Sequence, residues 1–156
     1  MAKLKRKAFK AWLDALAAAV VKTRDGFTCQ INRPGCAGRM TPGDYNCQWC
    51  HIISRTANKT RWELLNAVTG CGHCHQWAHS HPVDFGLWYA NKYPYRFDYL
   101  RDKNQEPNRT WRASDFEEVE EFLLGKAVDL NVDYLNISKR YRDRFKRKIE
   151  EKMFEA

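Results

Sequence analysis

The sequence predicts an α+β fold, with a small metal-assembled core in mid-chain, one helix before it and a helical extension after it. Three observations predict this. Residues 47–79 hold four Cys and four His, and all five His of the chain lie between 51 and 81. Residues 4–22 carry a single helical apolar stripe. Residues 113–156 carry helix signals again, with a polar stretch before them.

At 156 residues the chain suits one domain with an extension, and is long enough to bury a core. Six Trp, seven Tyr and eight Phe exclude low-complexity disorder as a general description. The net charge is +8, unevenly spread. Residues 1–24 carry seven Lys/Arg against one acid, residues 25–100 seven against five, and residues 101–156 thirteen of each. The run K-R-Y-R-D-R-F-K-R-K at 139–148 is strongly basic. Such a surface favours a polyanion, usually nucleic acid, although a solvated helix face explains charge alone equally well. No stretch is long enough to span a membrane and no convincing secretory signal opens the chain, since Lys10 and Asp14 interrupt the apolar run. A reducing cytosol, with Cys as metal thiolates rather than disulfides, is the expected setting.

Phe9, Trp12, Leu13, Leu16 and Val20 recur at helical spacing and define the first helix. Its Lys-rich first turn opposes the helix dipole, which assigns Lys3, Lys5, Arg6 and Lys7 to phosphate contact or to a frayed end. Asp25-Gly26 ends the helix. Pro34, Gly35 and Gly38 then shape a turn that carries Cys29 and Cys36, and a loop this polar suits closure by a metal. Residues 45–53 read as a strand or hairpin arm, residues 61–68 as a short strand or helical turn, residues 74–80 as a helix ended by Pro82, and residues 83–93 as a second short helix. Residues 101–109 read as a polar linker. Ser114-x-x-Glu117 is a capping-box signature for a helix to about Leu124, which Gly125 ends. A last helix is expected from about Tyr134 or Ser138 to Phe154.

Cys71-x-x-Cys74 is a metal knuckle, since two Cys on a tight turn can face one tetrahedral Zn²⁺. Cys29/Cys36 or Cys47/Cys50 complete the set, with the first pair preferred because Cys50 has another potential use. His75 and His79, four residues apart on a helix, present both imidazoles to one ion. His51 has a side chain whose ordinary pKa suits a general base, although a His beside two Ile is by default a core residue. His73, inside the knuckle, and His81, before Pro82, read as bystanders.

C-H-I-I-S-R at 50–55, Asn66, and C-G-H-C-H at 71–75, preceded by R-D-G-F-T-C-Q at 24–30, resemble the HNH, or ββα-metal, endonuclease motif. Asn66, His75 and His79 lie 15, 24 and 28 residues beyond His51, a spacing similar to that of HNH enzymes. The block looks closest to phage recombination endonucleases of the NinG (Rap) type and covers roughly residues 24–90. The resemblance implies a zinc-knuckle ββα-metal core over 25–100, flanked by a basic helix over 1–24 and a helical extension over 101–156. It makes His51, Asn66 and His75 the catalytic set. His51 is the general base, Asn66 shapes the loop that orients it, and His75 and His79 hold the catalytic metal. Cys71 and Cys74 join the structural zinc. The position before the base, often Asp or His in the family, is Cys50 here. It is either a small filler or a thiolate ligand, and the second role would favour Zn²⁺ over Mg²⁺ or Mn²⁺. Arg55 and Arg61 are the candidate phosphate clamps or surface ion-pair partners, and Trp49, Trp62 and Trp77 are expected to pack the core. The implied activity is phosphodiester hydrolysis in phage DNA recombination or in processing of branched DNA, within the bacterial host cytoplasm. The alternative is a zinc-stabilised nucleic-acid-binding module without catalysis. The acid–base alternation of the C-terminal helices also suits protein contact, including a homodimer.

Overall fold

A computed structural model describes residues 6–155. Helix α1 (Arg6–Arg24) buries Trp12, Leu13, Leu16 and Val20, the stripe read from the sequence. Its last residue staples it to the middle of the chain. Arg24 donates to the carbonyls of Leu64 and Ala67 at 2.7 and 2.9 Å and pairs with Asp25, whose carboxylate accepts the Thr69 N–H at 2.8 Å. Lys3 and Lys5 lie outside the described residues.

The sheet is one antiparallel pair, β1 (Cys47–His51) and β2 (Ala67–Cys71), with Cys47 opposite Cys71 and His51 opposite Ala67. Between the strands lie α2 (Asn58–Arg61) and a 3-10 turn at Leu64–Asn66. The segment 61–68 is thus turn first and strand second. β1 stops at His51 because Asn66 captures the next backbone groups, through its own carbonyl at Ile52 and its side chain at Ile53.

α3 (Gly72–Ser80) starts directly after β2, and α4 (Pro82–Lys92) begins with Pro82 in its first turn, where the missing N–H does no harm. α5 (Pro94–Gln105) corrects the reading of 101–109 as linker. Its polar composition hides one buried anchor, Leu100, and Pro94 opens it, so the boundary drawn after residue 100 falls inside a helix. The connection shrinks to residues 106–112.

α6 (Ala113–Asp129) is longer than expected, and its N-cap is Arg112. Its first-turn carboxylate is Asp115, which accepts the Arg112 N–H at 2.6 Å and the Arg109 guanidinium at 2.8 Å, so Ser114–Glu117 is not the cap. Gly125 does not end the helix. Packing of Leu123, Leu124 and Ala127 carries the helix through it. Two 3-10 turns, Tyr134–Asn136 and Lys139–Tyr141, lead into α7 (Arg142–Glu155).

Two apolar clusters result. One joins α1, α6 and α7 around Trp12, Leu16, Phe116, Leu123, Ile137 and Phe145. The other joins the hairpin to α3, α4 and α5 around Val68, Ala78, Phe85, Tyr89 and Leu100. α1 faces both the hairpin and α6. Glu120, buried in the first cluster, accepts from Trp12 Nε1 at 2.6 Å and pairs with Arg144 at 2.7 Å, which ties α1, α6 and α7 by charge as well as by area.

Candidate metal centre and histidine site

The Sγ atoms of Cys29, Cys36, Cys71 and Cys74 all lie within 4.8 Å of one another, with Cys36 and Cys71 at 4.0 Å. Tetrahedral zinc with bonds of about 2.3 Å places its sulfurs about 3.8 Å apart, so this donor set fits Zn²⁺. Cys29 and Cys36, not Cys47 and Cys50, complete the knuckle. The Cys47 thiol, which burial pushes up, remains outside the group.

The surrounding backbone prepares the site for thiolates. Burial pushes the Cys71 thiol up, but N–H groups of Ala37 and Cys74 and the neighbouring thiols outweigh burial and bring it down to about 7. Gly38 N–H reaches Cys36 Sγ at 3.3 Å, and the Arg33 N–H serves Cys74. Burial and the adjoining sulfurs hold the Cys74 thiol well up, because four thiols this close do not all ionise without a cation. The loop that carries Cys36 is propped by His73, whose Nε2 donates to the Pro34 carbonyl at 2.8 Å. Gly35 sits at φ +84°, and a Cβ there would lie 3.1 Å from that ring. His73 thus stands outside the four-sulfur group, as read from the sequence, and braces the loop beside it.

The histidine site is built from α3 and β1. α3 brings the rings of His75 and His79 to 4.5 Å between centroids. His75 Nδ1 donates to Gln48 Oε1 at 2.6 Å, which leaves Nε2 with its lone pair, the arrangement that orients a metal-binding imidazole. Burial, then the charge of His79, lowers the His75 pKa to about 4. No sequence signal marks Gln48 as a site residue, since only strand pairing brings it to a side chain 27 residues away.

His51 ends β1 with its ring 4.0 Å from that of Trp49. Its Nε2 lies 3.1 Å from the Arg61 carbonyl, which can only accept, so Nε2 carries the proton and Nδ1 is the basic nitrogen. Burial lowers its pKa to about 4. Asn66 is wholly buried and does three jobs. Its Oδ1 accepts the Ile53 N–H at 2.7 Å, and its Nδ2 donates to the carbonyls of Ile53 and Thr60, each at 2.9 Å. It thereby locks both ends of the loop 53–60, and the residue after Thr60 presents the carbonyl that holds His51. Asn66 positions; it does not face outward to substrate.

Cys50 does not join the His pair. Its side chain is fully buried and directed at Gly70, where a Cβ would come within 2.5 Å of its sulfur, and burial holds its thiol well above the ordinary value. Among the described residues no converging group contains Cys50, His75 and His79. Of the two roles open to Cys50, thiolate ligand or small filler, the structure has the filler, with the side chain packed against Gly70.

Arg61 is also a correction. Its guanidinium forks onto Asp14 at 2.8 and 2.6 Å and donates to the Arg55 carbonyl, so it builds the loop rather than clamping phosphate. Arg6 donates to the Trp111 carbonyl and lies over the Phe116 ring. Arg55 and Lys7 are exposed. Trp62 is buried, and Trp49 and Trp77 are packed against the two clusters, as expected of core residues.

No protein-family model, curated protein or solved structure matches the chain. No helix of the described residues is long and apolar enough to cross a membrane. The class defined by the fold is thus an α+β, mostly helical protein with a two-stranded sheet and a four-cysteine site able to hold a metal such as zinc.

Proposed function

We propose that this protein is a metal-dependent DNA endonuclease of the HNH (ββα-metal) type, serving phage DNA recombination or processing, with 5′ phosphate and 3′ hydroxyl products. One observation carries the reading. A neutral His51 with Nδ1 basic ends the strand that pairs with β2, and β2 runs straight into the helix bearing His75 and His79. Strand, strand, helix, with a base on the first strand and two imidazoles on the helix, is the order that a ββα-metal motif requires.

His51 Nδ1 would take a proton from water as the water oxygen bonds to phosphorus and the bond from phosphorus to the 3′ oxygen breaks; solvent returns a proton to that oxygen. Its low pKa keeps it free to accept at neutral pH. The Arg61 carbonyl would hold the neutral ring with its proton on Nε2 until Nδ1 takes the second, and Asn66 fixes the loop that presents that carbonyl. His75 and His79 would hold a divalent ion, Mg²⁺, Mn²⁺ or Zn²⁺, which when bound supplies electrostatic stabilisation of the phosphate and leaving oxygen. Gln48 orients His75 for that task. Arg55, exposed on the loop after His51, is available to a phosphate oxygen.

One observation favours the rival, a zinc-stabilised nucleic-acid-binding module. The removal of Cys50 from the His pair leaves two side-chain ligands at that point. The test is cleavage of supercoiled plasmid, and of a four-way junction, with each metal in turn. Metal-dependent cleavage that His51→Ala abolishes in a folded, zinc-loaded protein supports the nuclease. Binding without cleavage of either substrate selects the module.

A further inference from the structure

An open cleft of about 360 Å³ lies between the start of α1, the α2 segment and the 106–112 connection, and neither the zinc cysteines nor His51, His75 and His79 line it. Lys10, Lys59 and Arg109 contribute three cations to its wall, Asn58 and Asn108 two amides, and Trp111 an aromatic edge; among the described residues its lining contains no carboxylate.

The cations have donors to spare. Lys10 Nζ gives one hydrogen bond, to Asn58 Oδ1 at 3.0 Å. Lys59 Nζ donates to the carbonyls of Asn104 and Glu106, at 2.6 and 2.5 Å, and forms no ion pair among the described residues. Arg109 uses one Nη1 contact on Asp115, at 2.8 Å, and its guanidinium, 61% exposed, otherwise faces the Trp111 ring and solvent. The charges around Lys10 are mostly like its own. Burial, then Arg61 and Arg6, lower its pKa, and Asp14 raises it least. Three cations gathered in a concave polar site, with Asp115 paired to Arg109 and Asp14 near Lys10 as the nearby acids, are stabilised when an anion enters.

The cleft is also joined to the histidine site by the chain itself. Thr56, Ala57, Asn58 and Lys59 line it, directly after Arg55, and Arg61 at the end of the same segment holds His51 through its carbonyl. A strand whose phosphate lay in the cleft would therefore be anchored beside the loop that positions the base. We propose that the Lys10–Lys59–Arg109 cleft binds a backbone phosphate of the DNA strand, flanking the point of cleavage. This rests on the nuclease reading and adds to it a docking point on α1 and the 106–112 connection, outside the ββα unit.

The experiment measures DNA affinity by fluorescence anisotropy across a salt series, with zinc-loaded His51→Ala protein and a labelled duplex. Lys10→Gln in that background tests the cleft, Arg109→Gln repeats the test from another element, and Lys126→Gln on α6 is the control. Each lost phosphate contact reduces the slope of log affinity against log salt by about 0.9. The expected result is that reduction, with affinity several-fold weaker at low salt, for Lys10→Gln and Arg109→Gln but not for Lys126→Gln. Salt-dependent binding with unchanged slopes in both cleft variants overturns the cleft proposal and leaves the nuclease reading standing. Absence of any salt-dependent DNA binding by the parent overturns both. A free nucleoside monophosphate that Lys10→Gln protein fails to bind, while DNA affinity stays unchanged, reassigns the cleft to a small molecule and also overturns the proposal.

Discussion

Gln48 Oε1 and His75 Nδ1 lie 2.6 Å apart across 27 residues of chain. The contact fixes which nitrogen of His75 is left to bind a metal. Loss of such a supporting bond typically weakens metal affinity about 10- to 100-fold. Gln48→Ala, with the cysteine site already zinc-loaded, is expected to weaken Ni²⁺ or Mn²⁺ binding to the His pair by that factor in calorimetric titration. Its melting temperature should stay close to that of the parent. Unchanged affinity would remove His75 from the ligand set.

The four cysteines predict one tightly held zinc per chain. Structural zinc contributes about 10–16 kcal/mol in small knuckles, more than most domains possess in total. Cys71→Ser is therefore expected to lose the ion in native mass spectrometry and to unfold the hairpin with α3. Cys47→Ala should keep it, since Cys47 lies outside the group of four. Loss of zinc in Cys47→Ala alone would show that the wrong pair has been assigned.

The buried Asn66 side chain makes three hydrogen bonds to backbone groups of Ile53 and Thr60. Truncation leaves those groups without partners and should destabilise the protein by about 3 kcal/mol. Asn66→Asp keeps only the acceptor, so it should recover part of the loss at most. Urea unfolding of the parent, Asn66→Ala and Asn66→Asp checks the order.

His51 has a pH signature. Its folded pKa is about 4, lowered by burial, against an ordinary 6.5. Between those values the unfolded chain binds more protons, so stability rises with pH across the window. The contribution is fully present above about pH 6.5 and is lost as pH falls towards 4. It amounts to about 3 kcal/mol at most, at 1.36 kcal/mol per unit. Zinc release also acts in this range, so the informative quantity is the difference between parent and His51→Gln, measured at pH 7 and pH 5. His51→Gln should narrow the pH-dependent loss; an identical loss in both proteins would contradict the burial of His51.

Two glycines should respond in opposite senses. A Cβ on Gly70 would lie 2.5 Å from Cys50 Sγ, so Gly70→Ala must push the buried Cys50 side chain aside and destabilise by more than about 1 kcal/mol. A Cβ on Gly125 meets only the end of Lys152, at an ordinary 3.6 Å, within α6. Gly125→Ala should stabilise by about 0.5–1 kcal/mol. Thermal denaturation of both variants decides the matter, and destabilisation by Gly125→Ala would indicate that α6 and α7 pack more tightly than the structure has them.

Much of the fold and site is legible in the residues. The stripe Trp12–Leu16–Val20, the knuckle Cys71/Cys74 and the shared face of His75 and His79 rest on local spacing, and the structure has each of them. The preference for Cys29/Cys36 also stands, although the reason for it, a separate use for Cys50, does not. The elements that differ share a cause. Helix α5 is polar, and its sequence conceals it because one buried residue, Leu100, anchors it to a distant cluster. Gly125 reads as a stop because propensity is local, whereas Leu123 and Leu124 hold the helix by packing. Arg61 reads equally as a phosphate clamp or an ion-pair partner, and Asp14, 47 residues earlier, takes its guanidinium.

The sequence by itself determined the elements whose reasons are short-ranged: the amphipathic first helix, the two-cysteine turns, the helix that stops before Pro82 and the i, i+4 histidines. Tertiary structure alone decided which groups face one another. It set Cys50 against Gly70 and away from the histidines, gave His51 its tautomer through Arg61, assigned Gln48 to His75, and assembled three distant cations into one cleft. Spacing along the chain specifies which face of an element a side chain occupies. Only the packing of whole elements, driven by buried area and by the pairing of buried polar groups, specifies what lies opposite that face.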